Sequence, residues 1–428
     1  LALLASSSHV FAQQDYKPTK ENLQAREAFR DKGFGIFLHW GLYSTFAQGE
    51  WYMTNANIDH AEYAKAAAGF YPSRFDAAAW VSAIKASGAG YLTITSRHHD
   101  SFSMWDTKQS DYNIVKASPF RRDILAELRD ECHKQGLGFH IYYSILDWHR
   151  EDYYPIGRTG RGTGRKSHGS WDTYDAFMNA QLAELVRDYG AEAIWLDGEW
   201  DQDENPGFDW RYDKMYANIH KINPACLIGN NHHSAPHQGE DFQMFERDVP
   251  GANTAGLSGQ DISKLPLETC QTMNGMWGYK IIDQNYKSDT TLIRLLVQTA
   301  GRNANLLLNI GPEPSGALPA LALDRLAKIG SWMKVYGKTI KDGVREGLLP
   351  PLEWGVTTQR GKTLYLHILD WKSRMLSLPL TDRVQRVVSF DTQRPIPYTQ
   401  TKAGLTLTFD KAPHELNAID YIVEVTLK

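Results

Sequence analysis

Ile194-Trp195-Leu196-Asp197-Gly198-Glu199-Trp200 is an apolar run that stops on a carboxylate and then a glycine. A short apolar segment of this kind reads as a buried strand, and the glycine lets a ligand come close to the backbone where the strand ends. The same grammar recurs on both sides. Residues 35–39 end on His39, 91–96 lead into His98-His99-Asp100, 138–144 close on Tyr142-Tyr143-Ser144, and 226–230 and 306–310 repeat the pattern. Longer amphipathic segments lie between them: 76–87 opens on a capping Asp76, 122–135 precedes Gly136, and 319–336 opens on Pro319 and stops at Gly337. Strands alternating with helices predict an α/β chain, a (β/α)8-like TIM barrel over residues 13–341, with irregular units around 230–290. After Lys341 the pattern changes to short alternating strands at 363–368, 375–380, 384–390, 405–409 and 421–426. These predict a C-terminal antiparallel β-sandwich over 342–428, with Pro350-Pro351 in the connection and Trp354 and Trp371 read as structural before sugar-binding.

The chain of 428 residues is 42% hydrophobic with a formal net charge of -4, so it has no basic footprint for nucleic acid and no polybasic membrane anchor. No apolar run reaches the roughly 20 residues of a membrane span. Residues 1–12, LALLASSSHVFA, read as the tail of a secretory signal peptide, with Val10 and Ala12 at the positions a signal peptidase recognises. A secreted or periplasmic protein beginning at Gln13 is the expectation. Cys132, Cys226 and Cys270 are widely spaced, which fits buried thiols better than a disulfide framework or a zinc knuckle. The 13 Trp and 21 Tyr supply aromatic faces that stack on sugars as readily as they fill cores.

Barrels place their chemistry at the carboxyl ends of the strands, which is where His39, His98, His99, Tyr142 and Asp197 fall. A carboxylate at position 197 suits a nucleophile; capping of the following loop is the plain alternative. Glycosidic cleavage needs a second carboxylate, and Glu50, Glu240 and Glu246 compete for the role. Glu246, in Phe245-Glu246-Arg247, sits in an apolar setting expected to raise its pKa, with Arg247 pulling the other way. Glu240 reads as a solvated loop residue. His39, His98, His99 and Asp100 could be drawn as a zinc site, but adjacent strand residues face opposite ways unless the chain bends at the pair. Neutral imidazoles bonding sugar hydroxyls fit equally well, and no metal or cofactor is called for. The Gly-rich stretch 157–169 lacks phosphate-loop spacing and reads as a solvated surface loop, with contact to the leaving-group side the lesser alternative.

Taken together, Phe34 through Ser44 (FGIFLHWGLYS), Glu50-Trp51-Tyr52, Tyr91 through Asp106 (YLTITSRHHDSFSMWD), Tyr142-Tyr143-Ser144, Trp195-Leu196-Asp197-Gly198, Asp241 through Pro250 (DFQMFERDVP), Trp277-Gly278-Tyr279 and Asn305 through Pro312 (NLLLNIGP) resemble the family-29 α-L-fucosidases. The resemblance implies a retaining glycosidase acting on fucosylated oligosaccharides or glycoconjugates. It implies Asp197 as nucleophile and Glu246 as acid/base. His39, Trp51, His98, His99, Tyr142 and Trp277 would surround the sugar, with imidazole donors on the hydroxyls and an aromatic wall for the C6 methyl; Glu50, next to Trp51-Tyr52, reads as a substrate-binding group or a structural hydrogen-bond acceptor. Where many members carry Asn-Arg, this chain has Asn231-His232.

Overall fold

A computed structural model describes residues 16–166 and 168–428. The segment read as a signal peptide lies outside the described residues. Eight strands form one parallel sheet: β1 (Phe34–Leu38), β2 (Tyr91–Arg97), β3 (Gly138–Ser144), β4 (Ala193–Asp197), β5 (Leu227–Asn231), β6 (Gln243–Glu246), β7 (Leu267–Thr272) and β8 (Ala304–Ile310). Their order, β5-β4-β3-β2-β1-β8-β7-β6, curls the sheet into a nearly closed barrel whose seam lies between β5 and β6. There the backbone N–H of Asp241, two residues before β6, donates to Ile228 O at 2.7 Å.

Helices Ala77–Ala86, Ile124–Gln135, Trp171–Arg187, Tyr212–Ile222, Asp289–Ala300 and Ala320–Tyr336 pack outside. Their starts follow local chemistry: Asp76 accepts from Ala79 N and Asp123 from Ala126 N, each side chain satisfying an orphan N–H of the first turn. Pro319 precedes the last of them. Between β5 and β6, and between β6 and β7, the chain returns without a helix, which matches the irregularity expected around 230–290. The two strands there, β6 and β7, carry Gln243, Glu246, Glu268, Gln271 and Thr272 among their few apolar residues. That polar content hid them from a reading based on apolar runs.

Every second strand residue points into the barrel, and Phe37, Tyr91, Tyr142, Trp195, Met244 and Leu307 belong to one buried cluster there. Gly35 is required on β1, because a Cβ at that position would lie 2.3 Å from the Tyr91 ring. Beyond the last barrel helix, β9 (Arg345–Glu346), β10 (Gly355–Arg360), β11 (Thr363–Ile368), β13 (Val384–Ser389) and β16 (Tyr421–Leu427) form a five-stranded sheet. The strands β12 (Met375–Leu378), β14 (Tyr398–Thr401) and β15 (Gly404–Thr408) form a three-stranded one. All their ladders are antiparallel. Leu364, Leu366, Leu405 and Leu407 from the two sheets share a core that includes Trp354, which is 4% exposed and so is a packing residue. The cysteines are free and buried. Among the described residues, no helix is long and apolar enough to cross a membrane.

Candidate active site

The carboxyl ends of the barrel strands enclose a pocket of about 220 Å³ lined by His39, Glu50, Trp51, His98, His99, Tyr142, Asp197, Glu246 and Trp277, so all nine expected residues meet in one place. Asp197 ends β4 on the inward phase. Its Oδ2 accepts from the Tyr142 hydroxyl at 2.8 Å, and its Oδ1 from Trp200 Nε1 at 3.3 Å and Asn231 Nδ2 at 3.4 Å. These partners are side chains, not the N–H groups of the turn that follows, which disposes of the capping alternative. Gly198 follows with φ 118°, a conformation open to glycine and costly for other residues. Burial, then repulsion from Glu246, pushes the Asp197 carboxyl up to about 6, against the hydrogen bond from Tyr142.

The histidine pair enters the pocket together because β2 loses its regular alternation as it ends. Its register against β3 shifts between Thr95 and Arg97, and Ser101, with φ 68°, donates its N–H to His98 O at 3.0 Å to turn the chain. Asn309 fixes the next ring. Its amide donates to Trp277 O at 2.7 Å, so its Oδ1 must accept from His39 Nδ1 at 2.7 Å, leaving His39 Nε2 as an acceptor. Likewise the Ser144 hydroxyl donates to Leu146 O at 2.7 Å and accepts from His99 Nδ1 at 2.7 Å. His99 Nε2 then faces Asp197 Oδ2 at 3.7 Å, two acceptors that a donor between them would satisfy. Burial drives all three imidazoles neutral, His39 down to about 3 and His98 and His99 well below the usual range. With their Nδ1 protons committed to Asn309 and Ser144, His39 and His99 present Nε2 lone pairs, and not the expected N–H donors, to the pocket.

Aromatic walls complete the cavity. Trp51 stacks on Trp200 with ring centroids 5.6 Å apart, and Trp277 lies 5.2 Å from the His39 ring and carries the Arg247 guanidinium over its own ring at 5.1 Å. Trp277 reaches in because Gly311 leaves room for its loop; a Cβ there would stand 2.8 Å from Trp277 O. Under the floor, Glu268 accepts from Trp195 Nε1 at 2.9 Å and from the Tyr91 hydroxyl, and burial pushes it up to about 7.

The three competing glutamates differ in surroundings. Glu246 Oε2 accepts from Asn231 Nδ2 at 2.9 Å and lies 3.0 Å from His233 Nε2. Burial alone would raise Glu246, but these two bonds with the charges of His233 and Arg247 outweigh it and hold it below its ordinary value. The raised pKa expected from its apolar neighbours in sequence is thus overturned by the polar partners the fold supplies. Glu50 is also buried and shifted up by burial; its Oε2 accepts from Gly278 N at 2.7 Å, which ties it to the Trp277 loop. Glu240 is not solvated. It is 3% exposed, accepting from the Tyr216 hydroxyl at 3.0 Å and pairing with His232 Nε2 at 3.0 Å. The Gly-rich stretch is likewise anchored: Thr159 N and Oγ1 donate to Asp201, Gly160 N donates to Thr54, and Arg158 reaches the pocket mouth.

The geometry does not support the zinc reading: Asp100 accepts from the Tyr63 hydroxyl and Phe102 N, and among the described residues the ligand atoms of His39, His98, His99 and Asp100 do not gather closely enough to hold an ion. Glu199, His232 and His237 do approach one another. There Ser234 N–H donates to His232 Nδ1 at 3.1 Å, so His232 Nε2 carries the proton it gives to Glu240 and has no lone pair for a cation. Asn231, His233 and Arg158 come from polar loops, 230–233 and 157–169, that the sequence places over the rim without giving any one residue a role, while Trp200 and Asn309 carry no assignment from the sequence. For Asn309 the signal was present, a polar residue interrupting the apolar end of β8.

A family model described as α-L-fucosidase matches residues 3–338. The chain belongs to the α-L-fucosidase family. An α-L-fucosidase of Dictyostelium discoideum is 29% identical over 362 residues, covering 76% of this chain and 74% of that protein. Among solved structures, α-L-fucosidase isoenzyme 1 from Paenibacillus thiaminolyticus superposes with a TM-score of 0.84 at 30% identity, covering 96% of this chain and all of that one. The Thermotoga maritima α-fucosidase in complex with a mechanism-based inhibitor gives 0.75 at 25% identity, again covering 96% of this chain and all of that one. Hydrolysis of α-L-fucose from fucosylated glycans is the activity of this family, and the Asn231-His232 departure lies inside the same fold: His232 turns away from the pocket and Asn231 turns in.

Proposed function

We propose that this α-L-fucosidase works by retaining double displacement, with Asp197 as nucleophile and Glu246 as acid/base. The observation that carries the reading is the Asn231 amide, whose one nitrogen reaches both carboxylates. The two oxygens that share this nitrogen, at 3.4 and 2.9 Å, can lie no further apart than those two bonds laid end to end, which accommodates the roughly 5–5.5 Å of a retaining pair and falls short of the about 6.5–9.5 Å that an inverting pair needs to admit a water. In the first step Asp197 attacks the anomeric carbon as Glu246 protonates the departing oxygen. In the second, Glu246 takes a proton from water, which displaces Asp197.

The pocket residues bind and orient. His39 and His99 accept from ring hydroxyls, and Trp51, Trp277 and Phe37 enclose the apolar side of the sugar. Tyr142 holds Asp197 by one oxygen so that the other can be aimed. The segment 1–12 adds the proposal that the enzyme is exported. Proton NMR of the first product from an aryl α-L-fucoside tests the mechanism: α-fucose ahead of mutarotation is the expected result, and β-fucose rules out double displacement.

A further inference from the structure

The hydrogen bond between His233 and Glu246 bears on how the acid keeps its proton. An acid/base carboxyl must be protonated when substrate arrives, yet an ordinary Glu has a pKa of about 4.3. Retaining enzymes commonly meet this need by placing the acid in an apolar pocket. Here the pocket does the opposite. Glu246 receives the Asn231 amide at 2.9 Å, the His233 ring at 3.0 Å and the Arg247 guanidinium at 4.0 Å, all of which favour its anion. The chain also spends backbone strain on this contact: His233, two residues past β5, has φ 61°, a left-handed conformation unusual for a non-glycine. That turn sends His233 to the pocket while its neighbour His232 points to Glu240.

We infer that His233 and Glu246 act as one proton-holding pair, in which His233 stores the proton that Glu246 hands to the leaving oxygen. The inference rests on the retaining reading above. Neutral His233 beside protonated Glu246, and imidazolium beside carboxylate, differ only in where one proton sits along a single 3.0 Å bond. The steps balance. As the bond from C1 to the leaving oxygen breaks and the bond from Asp197 to C1 forms, the proton passes from Glu246 to that oxygen, leaving Glu246 ionised and His233 neutral. When water then forms its bond to C1 and Asp197 departs, the water proton goes to Glu246 and the pair is recharged.

His233 is accordingly a positioning residue, acting through Glu246. The charged groups around it are Glu246, Asp197 from β4 and Arg158 from the 157–169 loop, while Arg247, Glu50 and His39 face Glu246. The two carboxylates favour the imidazolium, Arg158 and burial oppose it, and the balance lies upward of an ordinary histidine.

A second basic group in the pair lets the last proton be held to higher pH than Glu246 could hold it alone. His233→Gln keeps an N–H donor for Glu246 but cannot store a proton. The basic limb of kcat/KM on an aryl α-L-fucoside should move down by about one pH unit in this variant. A uniform loss at every pH with the limb unmoved would mean that His233 only shapes the pocket, and would overturn the inference. The ring of His233, followed by nitrogen-15 NMR in the full chain, should titrate above the ordinary histidine value of about 6.5 and fall in Glu246→Gln; titration below that value in the unaltered chain contradicts it. Failure of the underlying mechanism looks different: β-fucose as first product, or no turnover by the unaltered enzyme, while the NMR titration still reports on the pair.

Discussion

Asp197 stands at the end of a strand hydrogen-bonded on both sides, to β3 and β5, with helices Trp171–Arg187 and Tyr212–Ile222 before and after it in the chain. Glu246 stands at the end of β6, whose ladder runs to β7 alone, beside the barrel seam. No helix flanks β6; side chains brace it instead. Ser258 Oγ donates to Glu246 O at 2.9 Å, Gln260 Nε2 to Met244 O at 2.7 Å and Gln271 Nε2 to Arg247 O at 2.7 Å. The contrast suits the two tasks proposed for these carboxylates. A nucleophile must meet one carbon at one angle, so it gains from a rigid strand end. An acid must reach an oxygen whose position changes with the leaving group, so a wall of loops with adjustable polar partners serves it.

The largest expected effect is at Glu246. Glu246→Ala should cost about 10²–10⁴-fold in kcat/KM on a substrate with a sugar leaving group and far less on an activated aryl fucoside, where little protonation is needed. The same leaving-group split in Glu50→Ala, and none in Glu246→Ala, would move the acid to the Gly278-anchored carboxylate. On the nucleophile side, Tyr142→Phe removes a charge-assisted hydrogen bond. About 1.5–3 kcal/mol, or roughly ten- to a hundred-fold in kcat/KM on both substrates, is expected, with no leaving-group dependence. A split there would show that the two walls are not separate in function.

The smallest effect is on pH. As the proposed nucleophile, Asp197 has to be ionised to attack, and burial with repulsion from Glu246 pushes its carboxyl up to about 6, so kcat/KM should fall as pH drops through that value. Repulsion from Glu246 is part of the cause, so Glu246→Gln should move this acidic limb downward on an aryl fucoside. A limb that stays in place would mean that burial alone sets it.

The two walls were also unequally legible in the sequence. β4 declared itself as an apolar run ending on Asp197, and β1, β2 and β3 likewise delivered His39, the histidine pair and Tyr142. The pair's shared direction was not readable, because it depends on a register shift beside β3 that no local pattern marks. β6 and β7 carry polar residues on the pocket side and brace one another through loops, so neither periodicity nor turn signals exposed them. Glu246 came from resemblance, and its chemical setting came out reversed because Asn231 and His233, distant in sequence, supply what its apolar neighbours do not. Glu240 shows the same limit: a glutamate after Gly239 reads as exposed until Tyr216 and His232 are folded over it.

A covalent bond from Asp197 to the sugar, the step on which the proposed mechanism turns, can be caught by mass spectrometry of the protein after incubation with 2-fluoro-fucosyl fluoride, which slows release of the intermediate. One 2-fluoro-fucosyl unit on the peptide containing Asp197, and none in Asp197→Asn, is the predicted result. Labelling of a peptide containing Glu50 or Glu246 in its place would contradict the account.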